Sequence, residues 1–417
     1  MLFERKMTNF KHDISVFGAC GHVGLPFSLT FADIGMKVIG IDINKDAIKK
    51  IQNKLLPFFE EDAQEILNKV IDKKNFELTE EPSACKDTKY IVIVPGTPVD
   101  KDLNTDLSHV TSVIDSIIPN LKEEHVIILR STLAPNTTEY IKNYIEKNSN
   151  FIVGKDVFVA YAPERIIQSK AMKEITTLPQ IIGCDDDASY KEVKKLFDKI
   201  SVNTIRLDYL EAELAKLFTN SYRYVNFALA NEYFIICTFL GANAYKIIDA
   251  VNKDYPRADI SKVGFAKGPC LGKDTWLLLN SVPNISTFNG VISSSYRVNE
   301  GLPSLIIDKI KNLTTLKNKK VAVLGLSFKK DCDDTRDSLS MKLVHLLKSE
   351  FVDVVTHDPY VDNKDVYKVI NEADVIIIAT NHTFYQSIDF SKSAKKGTII
   401  ADIWNLTKKD NYLYRIE

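Results

Sequence analysis

Short β-rich apolar runs recur along the chain at 14–18, 37–42, 90–95, 125–130 and 157–161, each followed by a turn and then a stretch with helical spacing. That alternation constrains the backbone more than any other feature, because parallel strands need crossover connections and helices supply them. The first part of the chain is therefore expected to be a doubly wound parallel sheet. The alternation fades near residue 205. From 211 to 240, apolar residues recur at helical spacing (Leu214, Leu217, Phe218, Tyr222, Val225, Leu229, Phe234), with no Pro and no Gly before Gly241. This reads as one long, largely buried helix. A second helix-rich stretch covers about 292–313, a basic link follows at 317–320, and strands resume at 321–326, 352–357, 374–379 and 398–402. The expected fold class is α/β: two doubly wound parallel-sheet domains, at 1–205 and 316–417, joined by a central all-α domain at 206–315.

Composition narrows the function. The 417 residues carry 54 Lys+Arg against 55 Asp+Glu, a net charge of -1. So even a balance argues against a broad basic face for nucleic acid or a membrane surface, and any anionic ligand must be held by a few placed groups. The six cysteines, at 20, 85, 184, 237, 270 and 332, form no CxxC pair. Neither a disulfide framework nor a metal site is expected, and reduced thiols in a cytoplasmic protein are. The first 13 residues lack the apolar stretch of a signal peptide, and no apolar run is long enough to span a membrane.

The first strand leads into Gly18-Ala19-Cys20-Gly21-His22-Val23-Gly24 and then a helix, with Asp42 18 residues after Gly24 at the end of the second strand. A strand, a Gly-rich turn and a helix start in that order aim backbone N–H groups at a pyrophosphate. The turn Gly21, His22, Val23 and Gly24 is the expected cofactor cradle of a Rossmann-like domain. Gly21 allows close approach, and Gly24 allows close packing of helix on sheet. A carboxylate at 42 accepts bonds from a ribose and repels a 2′-phosphate, which selects NAD over NADP. Ala19 stands where strict GxGxxG spacing puts the first glycine. Two later turns, holding Thr97 and Thr132, follow buried strands at the same sheet edge and offer hydroxyls to cofactor or substrate.

Cys270 sits in Lys267-Gly268-Pro269-Cys270-Leu271-Gly272-Lys273-Asp274. A loop thiol between lysines has the setting of a nucleophile, because nearby cations favour the thiolate. Lys216 and Asn220 lie four apart on the long helix and share a face. On an otherwise apolar helix, such polar groups need partners.

The segments FGACGHVGLP, VPGTP, RSTLAP, YAPER, EAELAKLFTNSYRYVNFALANE, GPCLGKD and GLSFKKDCDDTRDS, in that order, resemble the UDP-glucose/GDP-mannose dehydrogenase family over nearly the whole chain. The resemblance implies an NAD domain, a helical dimerisation domain and a C-terminal nucleotide-binding domain. It implies a four-electron oxidation at C6 of a UDP-sugar, with Cys270 as nucleophile through a thiohemiacetal and a thioester. On the same ground, Lys216 and Asn220 stabilise the oxyanion, Asp274 orients or deprotonates the attacking water, and Glu164 and Thr132 lie at the reaction centre. Arg257 resembles an arginine that reaches substrate across a dimer interface. Gly268 and Lys329 correspond to substrate contacts and Arg336 to a cofactor contact. Pro269, Gln168 and Ser169 depart from the family's usual residues, which bears on sugar specificity.

The Pro163-Glu164-Arg165 form resembles the branch acting on UDP-N-acetylhexosamines, with UDP-N-acetyl-D-mannosamine favoured and UDP-glucose the alternative. An arginine at 165 changes the polarity of a sugar pocket. A non-catalytic NAD or nucleotide-sugar sensor is the reading from another class, but it has no need for Cys270, Lys216, Asn220 and Asp274 together. A two-electron hydroxy-acid dehydrogenase leaves Cys270 and the last domain unused. A homodimer through the central helices is expected, because a long apolar helix needs a partner surface.

Overall fold

The computed structural model describes residues 10–96, 107–282 and 290–417. The chain divides into two compact units, 1–219 and 220–417, with the boundary inside the long helix Tyr209–Leu240.

The first unit is built on eight strands: β1 (His12–Phe17), β2 (Val38–Ile41), β3 (Phe76–Thr79), β4 (Thr88–Ile93), β5 (Val126–Leu129), β6 (Phe158–Tyr161), β7 (Gln180–Gly183) and β8 (Thr204–Leu207). Their spatial order is β3-β2-β1-β4-β5-β6-β7-β8. The strand order thus reverses between the parallel strands β1 and β4, which is the topological switch point where such sheets bind ligands. Five strands match the sequence reading. β3, β7 and β8 are not evident in the sequence, since FELT, QIIG and TIRL each carry only two apolar residues. The sheet is also not purely parallel: β7 runs antiparallel to β6, joined at Tyr161 and Gly183.

Alternation along each strand feeds two cores. Ile14 and Val16 face one, with Phe27, Leu67 and Leu196, while Phe17 faces the other, with Ile114, Ile141 and Ala212. Side chains buried on both faces explain why the strands read as near-continuous apolar runs.

The second unit begins with helical segments that include Ala244–Asn252, Gly268–Asn280 and Val291–Lys311. It ends in a five-stranded sheet of β9 (Lys320–Leu324), β10 (Asp353–His357), β11 (Val375–Ile378), β12 (Ile399–Asp402) and β13 (Leu413–Arg415), in the order β10-β9-β11-β12-β13. β13, unread in the sequence, is antiparallel to β12. The switch point here lies between β9 and β11.

The long helix corrects one expectation. It was read as largely buried, yet Phe218, Tyr222, Leu229, Tyr233, Ile236 and Leu240 are exposed. At 100° per residue these six fall within an arc of about 60°, so the chain on its own leaves one apolar stripe uncovered. Among the described residues, no helix is long and apolar enough to cross a membrane, and no His, Cys, Asp and Glu cluster is able to hold a metal ion.

Candidate active site

In the first unit the turn after β1 is shaped by glycine. Gly18 has φ +77, and a Cβ on Gly24 would lie 2.1 Å from the Gly18 carbonyl oxygen, so only glycine lets the helix Gly24–Asp33 start against the strand end. A Cβ on Gly21 would meet nothing closer than 3.7 Å, which leaves that side of the turn open. Gly18 supplies the positive φ at the strand end, so the glycine missing at Ala19 is not needed for the turn. Ala19 is buried, and a Cβ on Gly40 would lie 2.7 Å from its own.

Asp42 ties the turn to β2. Its Oδ2 accepts from the Cys20 N–H at 2.8 Å and its Oδ1 from the Asn44 N–H at 2.9 Å. A carboxylate has about four lone-pair sites, so it keeps capacity for ribose hydroxyls. An open glycine face at a helix start, with a carboxylate at the neighbouring strand end, fits a dinucleotide without a 2′-phosphate. His22 packs on Phe58 at 3.9 Å between ring centroids. Thr97 lies outside the described residues, and Thr132 is half-buried in the turn after β5.

That turn is held by Arg130, to which the sequence alone gives no role. Arg130 is fully buried between the rings of Phe27 and Phe197, at 4.9 and 5.4 Å. Its guanidinium donates to the Ala162 carbonyl at 3.0 Å, to Gln180 Oε1 and to Glu164 Oε2. Glu164 Oε1 accepts from the N–H groups of Arg165 and Ile166. Each oxygen of Glu164 thus has protein partners, which fix the carboxylate in place. Arg165 is half-buried and donates to the Pro179 carbonyl. Glu213, buried on the long helix, accepts from the N–H groups of Asn136 and Thr138 and from the Thr138 hydroxyl. Burial raises its pKa above the usual value despite these bonds. The face argument that singled out Lys216 and Asn220 applies equally to Glu213, three residues before Lys216.

In the second unit Cys270 is not in a loop. It occupies the first turn of the helix Gly268–Asn280, which Pro269 helps to start. The positive end of the helix favours a thiolate there. Cys270 is exposed, whereas the other five cysteines are buried. Burial pushes the thiols of Cys20 and Cys85 up to about 12 and raises those of Cys184 and Cys332, which keeps them protonated.

The cation expected to assist the thiol also changes. Lys267 is paired with Glu300 at 2.6 Å, and Lys342 with the other oxygen of Glu300 at 2.6 Å. Burial opposes the charge on Glu300, but the two ammonium groups still hold its carboxyl below the usual range. Arg336 is a cation in electrostatic contact with Cys270. Its pKa is raised chiefly by Asp334, which it grips with two nitrogens, and further by the thiol.

One turn after Cys270, Asp274 is fully buried. Its Oδ2 accepts from Asn220 Nδ2 at 2.5 Å, while Oδ1 is buried with no partner among the described residues. A buried carboxylate oxygen left bare is costly, and water or a reacting group would satisfy it. Asn231, not read from the sequence, clamps the segment before this helix. It donates to the Gly264 carbonyl and accepts from the Gly264 N–H, each at 3.0 Å. On the long helix Lys216 and Asn220 are buried one turn apart. Arg257 is exposed, stacked on Tyr255 at 4.5 Å. Lys329 is half-buried in the segment after β9.

Three models of one family match in the order the fold suggests: its NAD binding domain at 12–201, its central domain at 210–301 and its UDP binding domain at 322–409. The chain belongs to the UDP-glucose/GDP-mannose dehydrogenase family. It is an NAD-dependent nucleotide-sugar dehydrogenase. The UDP-N-acetyl-D-mannosamine dehydrogenase of Pyrococcus horikoshii is 32% identical over 95% of this chain and 96% of that protein. The solved structure of the UDP-D-ManNAc dehydrogenase from Pyrococcus horikoshii superposes with TM-score 0.88 at 31% identity, covering 94% of this chain and 96% of that one. That of the UDP-N-acetyl-mannosamine dehydrogenase from Staphylococcus aureus gives 0.84 at 30% identity, with 95% of each chain covered.

Proposed function

We propose that the chain oxidises UDP-N-acetyl-D-mannosamine at C6 to the uronic acid in two NAD-dependent steps, with Cys270 as the covalent nucleophile. The observation that carries this reading is the helix Gly268–Asn280, with an exposed thiol in its first turn and, one turn on, a buried carboxylate bonded to Asn220.

NAD, when bound by the first unit, accepts a hydride in each oxidation. In the first, the C6 alcohol gives up that hydride and passes its hydroxyl proton to water, leaving an aldehyde. The Cys270 thiolate adds to the aldehyde carbon, forming a C–S bond and an alkoxide. Lys216, together with the Asn220 amide hydrogen not given to Asp274, stabilises that oxygen as charge develops. Loss of the second hydride leaves a thioester. Asp274 Oδ1 accepts a proton from the water that attacks it, and the C–S bond breaks to return the thiolate and release the carboxylate. Glu164, fixed by Arg130, orients groups at the reaction centre with Thr132. Lys329 holds the nucleotide-sugar, and Arg257 serves a substrate held by the partner protomer. The chain serves as three working segments, at 1–205, 206–315 and 316–417.

The N-acetylmannosamine assignment rests on the names of the relatives at about 30% identity and on Arg165 after Glu164. NADH formation with purified protein across UDP-glucose, UDP-N-acetylglucosamine, UDP-N-acetylmannosamine, UDP-N-acetylgalactosamine and GDP-mannose tests it. The highest kcat/KM is expected for UDP-N-acetylmannosamine, and a preference for UDP-glucose would overturn it. The stripe Phe218, Tyr222, Leu229, Tyr233, Ile236 and Leu240 supports a homodimer, since a self-complementary apolar helix face is what a two-fold interface buries.

A further inference from the structure

The segment after β9, residues 325–338, carries both Lys329 and Arg336, and it is fastened at two ends. At one end it meets the nucleophile helix. The Gly268 N–H donates to the Asp337 carbonyl at 3.3 Å, and a Cβ on Gly268 would lie 2.5 Å from the Phe328 ring. Only glycine permits that approach, two residues before Cys270. The other end is held by a buried histidine that the mechanism does not use. His382, after β11, is fully buried. Its Nδ1 accepts from the Asp331 N–H at 2.9 Å, and its Nε2 lies 3.1 Å from Asp358 Oδ2 and 3.1 Å from Ser327 Oγ.

The partners fix the tautomer. A backbone N–H pointing at Nδ1 requires a lone pair there, so the proton is on Nε2 and is donated to Asp358. Asp358 in turn accepts from the N–H groups of Leu326, Ser327 and Tyr360, at 2.7, 3.0 and 2.9 Å. Burial works against its charge, but these bonds and His382 bring its carboxyl below the usual range. Ser327 Oγ continues the chain of bonds to the Lys329 carbonyl at 2.9 Å. Asp331 is tied a second time, through its side chain, to the N–H and hydroxyl of Thr383.

We propose that His382 is a positioning residue for the reaction: through Nδ1 it holds the Asp331 backbone and so keeps the 325–338 segment in the shape that presents Lys329 to the nucleotide-sugar and Arg336 to Cys270. The proposal rests on the roles given above to Cys270 and Lys329. It assigns the Asp331 bond the decisive part, because Asp358 retains three backbone donors without the histidine.

Two substitutions separate the two nitrogens. His382→Asn places an amide oxygen where Nδ1 stood and keeps the acceptor for Asp331. His382→Gln reaches the Nε2 position, keeps the donor to Asp358 and loses the Asp331 bond. The first measurement is the rate of iodoacetamide alkylation of Cys270 at pH 7, read from the mass of its peptide. Loss of the arginine beside the thiol lowers the thiolate fraction, so H382Q is expected to react roughly threefold more slowly. A protein that is merely loosened would react faster and would label its buried cysteines as well. The second is kinetics with the UDP-sugar: H382Q is expected to raise KM roughly tenfold, the loss of about one buried hydrogen bond. H382N is expected to recover most of both effects.

An H382Q protein with wild-type alkylation and KM would overturn the proposal, as would an H382N protein as impaired as H382Q. If H382Q does not fold, Asp331→Ala at its partly exposed position removes the tie to Thr383 from the same segment. It leaves the bond from the Asp331 N–H to Nδ1 in place, so alkylation should stay near the wild-type rate, and a slowing as large as that expected of H382Q would overturn the proposal by moving the decisive contact to the Asp331 side chain. Alkylation needs no turnover. Wild-type acid production by Cys270→Ser would sink the functional reading alone and leave the alkylation result standing.

Discussion

Asn220 Nδ2 donates to Asp274 Oδ2 at 2.5 Å and leaves Oδ1 buried with no partner among the described residues. One amide thus orients the carboxylate and leaves a single oxygen bare. Cys270 and Asp274 lie four residues apart and share a face of one helix.

Replacing Asp274 by Asn keeps the shape of this pair and removes the base. Hydrolysis of the thioester should slow by about 10²–10⁴-fold. Rapid mixing should show a burst of NADH followed by a slow steady state, and intact mass should show an adduct on Cys270. A wild-type steady-state rate with no adduct would remove Asp274 from the hydrolytic step.

His125 provides a pH test of stability apart from the chemistry. Burial, aided by Lys122, lowers its pKa to about 4, and its Nδ1 accepts from the Lys122 N–H at 2.9 Å. The unfolded chain binds a proton near pH 6.5 and the native state only near 4. The neutral ring therefore contributes stability that is present above pH 6.5 and is lost as the pH falls towards 4, about 3 kcal/mol in all. Urea midpoints measured across that range should decline in wild type. The decline should be shallower in His125→Asn, which keeps the acceptor but does not titrate, and an equal slope in both would contradict the assignment.

The exposed helix stripe bears on assembly. Ile236→Glu puts a charge within the proposed dimer face, at a position 48% exposed in the single chain, where burial against an apolar helix face is costly. Light scattering should give a dimer for wild type and a monomer for the variant at micromolar concentration. A variant that remains dimeric would place the interface elsewhere.

Much of this was legible in the sequence because it depends on local spacing. The strand, Gly-rich turn and helix from β1 to Gly24 follow from residue order alone, and so does the shared face of Lys216 and Asn220. What escaped depends on contacts between distant segments. Arg130 and Glu164 are 34 residues apart, and Asn231 and Gly264 are 33 apart. The bond from Asp331 to His382 joins positions 51 apart. The lysine beside Cys270 misled for the same reason, since its neutralising partner, Glu300, is on another helix. Short strands such as β8 were missed because only half-buried and exposed side chains mark them.

The most direct test of the central claim is the stoichiometry of NADH to sugar. With limiting UDP-N-acetylmannosamine and excess NAD, a covalent route through Cys270 gives two NADH for each uronic acid formed and no free aldehyde. One NADH per sugar, with aldehyde trapped by a hydrazine in solution, would contradict it.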